Sequence, residues 1–225
     1  MDRKYYEAYE ERYKKIHNET GKAWAGNKPS KILEKLLKKY KANKNSTILD
    51  VGCGEGQNAI FLMIKQYNIK AFDVSPEAIN WCKNKAKKLN LNTNNFFVMD
   101  ALVNDYNEKF DFIYSVAVLH MLVEEDDRIN FLKFIHNHLK DNGKAFIIVM
   151  GDGIEERKTD INIAFELGNR PFCNKMVEVA NTSCRMVNWE KLLKELKTAN
   201  FKIINKYIDK TVSGFNSSMV VEVEI

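Results

Sequence analysis

The sequence predicts an α/β fold, and three observations carry that prediction. Short apolar runs alternate with amphipathic stretches of helical length over roughly residues 30–150. A turn with glycine at alternate positions, Gly52-Cys53-Gly54-Glu55-Gly56, joins the first apolar run to its helix. A final helix and two more apolar runs close the chain. This alternation builds a mainly parallel sheet covered by helices on both faces.

A length of 225 residues suits one core, so the chain is read as a single domain over 1–225. Hydrophobic residues make up 45% and prolines number only three, which argues for a folded globule over a disordered chain. No apolar run approaches membrane-spanning length. The start, Met1-Asp2-Arg3-Lys4-Tyr5-Tyr6-Glu7, is too polar for a signal peptide, so a cytoplasmic location is expected. The net charge of +5 is mild, and the lysine clusters at 31–44 and 83–88 read as solvated helix faces. Aromatic residues are not interleaved with those lysines, which speaks against nucleic acid as a partner. Cys53, Cys82, Cys173 and Cys184 form no CxxC pair, and His17, His120, His136 and His138 show no metal-ligand spacing. Reduced thiols and no structural zinc are expected.

Residues 3–17 predict a polar helix in which Tyr5, Tyr9 and Tyr13 repeat every four residues and share a stripe. That stripe is read first as packing on the domain body, and secondly as a lid. A loop follows, with Gly21, Trp24, Gly26 and Pro29. Ile32, Leu33, Leu36, Leu37 and Tyr40 then form one face of a helix. Thr47-Ile48-Leu49-Asp50-Val51 is a buried strand ending in an acid, and the glycine turn and a helix come after it. Glycine lets the chain turn sharply and lets a ligand approach where a Cβ would clash. The helix N-terminus beyond offers free N–H groups. The unit is a cradle for a nucleotide-type cofactor. A dinucleotide fingerprint needs glycine where Gln57 stands, which turns the reading away from a nicotinamide oxidoreductase.

Residues 69–73 form the second strand, and its closing Asp73 lies 23 residues after Asp50. An acid at about that distance is placed to hold a ribose diol. Ser75 and Pro76 then cap a helix with Ile79, Cys82, Ala86 and Leu89 on its buried face. Phe96-Phe97-Val98-Met99 is the third strand and runs into Asp100-Ala101, and residues 110–115 make the fourth. His120 lies just beyond it, where it is read as a general base or as a group that orients substrate. A helix with Ile129, Leu132, Phe134, Ile135 and Leu139 is predicted to stop at Asp141-Asn142-Gly143, before a fifth strand at 144–150. Residues 151–187 break the rhythm and read as irregular and lid-like, with Arg170 and Arg185 as candidate anion binders. Trp189, Leu192, Leu193 and Leu196 mark the last helix, ahead of strands near 201–204 and 219–225.

Asp50-Val51-Gly52-Cys53-Gly54-Glu55-Gly56, Asp73-Val74-Ser75-Pro76-Glu77-Ala78-Ile79, Phe110-Asp111-Phe112 and Leu139-Lys140-Asp141-Asn142-Gly143 together resemble the motifs of the class I S-adenosylmethionine (SAM) methyltransferases. The likeness is to their small-molecule branch, the tellurite-resistance and thiopurine-type enzymes. It implies a Rossmann-like sheet of seven strands, mostly parallel, with one antiparallel C-terminal strand. It implies SAM contacts at Trp24, Asp50, Gly52, Cys53, Gly54, Gly56, Asn58, Asp73, Val74, Ser75, Asp100, Ala101, Ser115 and Val116, and no metal. Trp24 is read either as a cation–π partner for a sulfonium or as a hydrophobic plug. Residues 1–45 become an N-terminal helical cap and 151–187 an insertion on the substrate side. The implied reaction is methyl transfer to N, O or S of a small molecule. The alternatives are a tRNA or protein acceptor, or SAM binding without turnover. The sequences that mark DNA amino-methylating and cytosine-C5 enzymes are absent: Ser115-Val116-Ala117-Val118 replaces the first, and no Pro-Cys pair exists.

Overall fold

The computed structural model describes residues 3–26, 28–212 and 214–225, so Asn27 of the tryptophan loop and the Met1-Asp2 start lie outside the described residues. The helices are α1 (Ala8–Thr20, preceded by a 3-10 turn at Tyr5–Glu7), α2 (Lys31–Lys39), α3 (Gln57–Ile64), α4 (Pro76–Lys88), α5 (Glu125–Asn137) and α6 (Trp189–Thr198). In chain order the strands are β1 (Thr47–Val51), β2 (Asn68–Asp73), β3 (Phe96–Val98), β4 (Phe110–Val116) and β5 (Leu139–Met150). They continue with β6 (Arg157–Lys158), β7 (Leu167–Phe172), β8 (Lys175–Ala180), β9 (Arg185–Met186), β10 (Lys202–Asp209) and β11 (Ser218–Glu224).

Seven of these strands form one sheet in the order β10-β11-β5-β4-β1-β2-β3. β11 runs antiparallel to both neighbours, while β1, β2, β3, β4 and β5 pair in parallel. The fold is the Rossmann-like methyltransferase arrangement expected from the motifs. The chain winds outward from β1 through β2 to β3, then returns to β4 on the other side of β1. The crevice at the carboxyl ends of β1 and β4 is therefore the topological switch point, where such sheets bind ligands.

Alternation along the strands divides the core. Ile48 packs with Ile32, Leu36, Ile60, Ile79 and Phe146 on the face covered by α2, α3 and α4. Leu49 and Val51 pack with Leu132, Ile135, Leu192 and Leu196 on the face covered by α5 and α6. Those last two helices are joined by a buried two-pronged pair, Arg128 Nε and Nη2 to the Glu195 carboxylate at 2.8 and 2.7 Å.

Two expectations are corrected. α5 ends at Asn137, and the fifth strand starts at Leu139 instead of 144. The register jumps from Phe110↔Leu139 to Phe112↔Lys144, so the Asp141-Asn142-Gly143 turn is a bulge inside the strand, not a helix stop. Residues 151–187 are not irregular. They hold an antiparallel hairpin, β7 with β8, and a short β6–β9 pair.

Candidate active site

The carboxyl ends of β1, β2 and β4 open into a cavity of about 870 Å³. Its floor is the glycine turn and the strand ends. Its roof is α1, the loop around Trp24 and the hairpin segment. Of the sequence-predicted residues, Trp24, Asp50, Gly52, Cys53, Gly54, Asn58, Asp73, Val74, Asp100, Ala101, Val116 and His120 line this cavity. Gly56, Ser75 and Ser115 are not in its wall. Gly56 caps α3, Ser75 caps α4 by accepting the Ala78 N–H, and Ser115 is buried in β4.

The glycines are required for two different reasons. Gly52 has φ +74°, and a Cβ there would stand 2.5 Å from Val118 Cγ2, so it serves close packing beneath the turn. Gly54 has φ +52° and meets only the Tyr13 hydroxyl, at 3.1 Å, so its face is the open one.

Three carboxylates stand on the floor. Asp50 is buried and accepts the Tyr114 hydroxyl at 2.8 Å, and burial pushes its pKa up to about 8. Asp73 accepts the Gly54 and Ser75 N–H groups at 2.8 and 2.9 Å, one on each oxygen. Burial raises it to about 6 against the pull of those two donors. Asp100 accepts the Leu102 N–H at 2.8 Å and the Tyr6 hydroxyl at 2.7 Å.

His120 lies in the cavity wall, buried, on a 3-10 turn held by Arg128 through the Leu119 and Leu122 carbonyls. Burial, and then the Arg128 charge, lower its pKa to about 3, so the ring is neutral. Its Nδ1 accepts the Met150 N–H at 3.4 Å, which leaves the ring proton on Nε2. The ring is therefore built to donate a hydrogen bond. Of the two readings for this residue, that geometry favours orientation over proton abstraction.

The cavity also holds residues outside the predicted cofactor contacts, and the tyrosine stripe lies on a shifted face. The tyrosines facing inward are Tyr6, Tyr9 and Tyr13, while the Tyr5 hydroxyl turns away to Asp127 at 2.7 Å. Spacing of three and four along a helix would have found the correct face. Glu55, in the middle of the glycine turn, is 1% exposed and is the joint between floor and roof. It accepts the Trp24 and Ala25 N–H groups at 2.6 and 2.8 Å and meets His17 Nε2 at 2.7 Å. The other His17 nitrogen meets Glu77 at 2.7 Å, and the ring stacks on Trp81. Gln57, which opens α3, lines the cavity with a buried Oε1 that has no partner among the described residues. The Trp24 ring already stacks on Phe172 and sits 5.0 Å from the Arg12 guanidinium. Arg185 donates to the Val123 carbonyl at 2.9 Å and lies outside the cavity wall, whereas Arg170 is in it.

An open glycine face, a helix N-terminus with an unpartnered amide oxygen, and an acid at each of three successive strand ends fit SAM. They define a class I methyltransferase site. Residues 22–206 match a family model described as "Methyltransferase domain". The chain belongs to that family, whose methyl donor is SAM.

The probable SAM-dependent methyltransferase TehB of Haemophilus influenzae is 27% identical over 101 residues. That match covers 45% of this chain and only 35% of the relative, so the chain spans about a third of that relative's length. The crystal structure of a SAM-dependent methyltransferase from Clostridium acetobutylicum superposes with a TM-score of 0.64 at 21% identity, covering 86% of this chain and 89% of that one. The Burkholderia thailandensis 1,6-didemethyltoxoflavin-N1-methyltransferase, solved with 1,6-didemethyltoxoflavin and S-adenosylhomocysteine, gives a TM-score of 0.68 at 16% identity, covering 96% and 86%. No described helix is long and apolar enough to cross a membrane.

Proposed function

We propose that this chain transfers the methyl group of SAM to a nitrogen, oxygen or sulfur atom of a small molecule. The cavity carries this reading. Its volume of about 870 Å³ lies in the range of small-ligand sites, and α1 and the hairpin segment roof it over. A macromolecular acceptor needs an open approach to the strand ends, which that roof covers.

In this reading Asp73 holds the ribose hydroxyls and Asp100 with Ala101 receives the adenine. Gly52, Cys53 and Gly54 line the methionine end beside Asp50 and Gln57. Gly56 and Ser75 contribute by capping α3 and α4, and Ser115 by its buried place in β4. The 151–187 segment is the substrate-side insertion, and 1–45 the cap. Bound SAM supplies a methyl group already activated by a positive sulfur. The protein's own task is then alignment and exclusion of water, and the reaction asks for no strong acid–base pair. His120 Nε2–H orients the acceptor by donating to a polar atom beside the one that is methylated, which leaves the attacking lone pair free. A thiolate or a neutral amine needs no more help than that.

The test is a screen of thiols, amines and phenols with SAM, read as S-adenosylhomocysteine release and a methylated product by mass. Turnover confined to one of these classes is expected. Turnover on tRNA or protein with none on small molecules overturns the reading.

A further inference from the structure

The roof carries a charge with no counterion among the described residues, the Arg12 guanidinium, which lies 5.3 and 5.0 Å from the Tyr9 and Trp24 rings. Arg12 of α1 is only 6% exposed and forms no ion pair among the described residues. Its Nε and Nη2 donate to the Ala180 carbonyl at 3.1 and 2.6 Å, and Nη2 also reaches the Asn181 carbonyl at 2.7 Å. Those bonds fix the fork in place and leave Nη1 with no hydrogen bond to a described residue, in a side chain that lines the cavity. Arg170 of β7 lines the same arm, exposed, with a single long contact to the Asn181 carbonyl at 3.5 Å. Its charge acts on Arg12, adding to the burial that lowers the Arg12 pKa. The acids in the cavity wall are Asp50, Asp73 and Asp100, all on the floor, and the lining residues of the 151–187 segment include none. A buried guanidinium without a counterion, beside a second one, is costly unless an anion joins them. The two N–H groups of the free Nη1 can meet one carboxylate oxygen, and the Arg170 guanidinium beside it can meet the other.

We propose that Arg12 and Arg170 form a carboxylate-binding subsite in the roof of the cavity. The inference rests on the cofactor cavity proposed above. Two molecules bring the required group there: SAM, through its amino-acid carboxylate, and an acceptor that is itself a carboxylic acid.

Calorimetric titration separates them. S-adenosylhomocysteine carries the amino-acid carboxylate and 5′-methylthioadenosine lacks it. Sodium benzoate, titrated into the free protein and into its methylthioadenosine complex at constant ionic strength, probes the acceptor side. Arg170→Gln changes an exposed side chain and is expected to fold. Arg12→Lys keeps the charge and removes the fork, with circular dichroism checking its fold. If the cofactor supplies the carboxylate, both variants weaken S-adenosylhomocysteine about tenfold and leave methylthioadenosine within twofold. If the acceptor supplies it, both adenosine ligands are unchanged and benzoate weakens about tenfold. The proposal is overturned if S-adenosylhomocysteine and benzoate each bind Arg170→Gln as they bind the wild type. Failure of both adenosine ligands to bind the wild type removes the cofactor reading instead, and the benzoate titration of the free protein still decides the subsite.

Discussion

The floor and the roof of the cavity are assembled in opposite ways. On the floor, the backbone donors are local: Asp73 accepts from Gly54 and Ser75, 19 and two residues away, and Asp100 from Leu102 within its own loop, while the distant partners of Asp50 and Asp100 are the tyrosine hydroxyls of Tyr114 and Tyr6. In the roof, Arg12 reaches Ala180 and Tyr9 reaches the Ser183 carbonyl, 168 and 174 residues along the chain. The floor is acidic and the roof basic. The floor is set by strand ends and turn geometry, whereas the roof depends on α1 docking against the hairpin. On the proposed reading, specificity for the acceptor resides in the part of the molecule with the fewest local determinants, where change leaves the cofactor cradle intact.

Glu55 joins the two regions, and cutting it is the harshest test of that division. Glu55→Ala frees the Trp24 loop and leaves His17 without one of its carboxylates. Leaving the Trp24 and Ala25 N–H groups and the buried His17 ring without their acceptor costs about 3–5 kcal/mol, or a melting point lower by roughly 10 °C for a chain of this size. Thermal melting checks this, and an unchanged melting point would show that the roof is not held there. Gly52→Ala strikes the floor alone. The left-handed backbone and the Val118 contact together cost about 3 kcal/mol, and S-adenosylhomocysteine binding should fail while helix content by circular dichroism stays unchanged.

Asp50 gives a test with a defined sign. Its folded pKa of about 8 lies above the ordinary 3.8, so the folded state holds this proton longer than the unfolded chain. Its contribution to stability is full below about pH 4 and is lost as the pH rises toward 8. Asp50→Asn keeps an acceptor for Tyr114 and should out-melt the wild type by more at pH 8 than at pH 5, a differential of about 3–4 kcal/mol. An equal effect at both pH values contradicts the burial account. The smallest effect belongs to Asp73. Protonation near pH 6 removes a carboxylate acceptor, so S-adenosylhomocysteine affinity should fall by up to about tenfold per pH unit below that point. Asp73→Asn should flatten the profile, and His120, titrating near pH 3, should add no inflection between pH 5 and 8.

The same division explains what could be read from the sequence. Asp50, the glycine turn, Asp73 and Asp100 each stand at the end of an apolar run, so a local pattern marks them. The hairpin left no such mark. β7 contains Gly168 and Pro171, residues that argue against a strand, and its exposed face shows no apolar alternation. Its turn places Cys173 and Asn174 at φ +47° and +63°, a two-residue reversal in which only Asn is a recognised signal. Likewise, Arg12 is one charge among many on a polar helix until the fold brings Ala180 to it. Glu55 was hidden because a charged residue between glycines reads as solvent-facing, when it is in fact buried under the loop it fastens.

The central claim is that the floor is the SAM site, and Asp73 tests it most directly. Calorimetric titration of S-adenosylhomocysteine at pH 7.5 should show one molecule bound per chain. Asp73→Ala should lose at least about tenfold in affinity, the order of one charge-assisted hydrogen-bonded contact, with its circular dichroism spectrum unchanged. A wild-type protein that fails to bind, or an Asp73→Ala variant that binds equally well, contradicts the account.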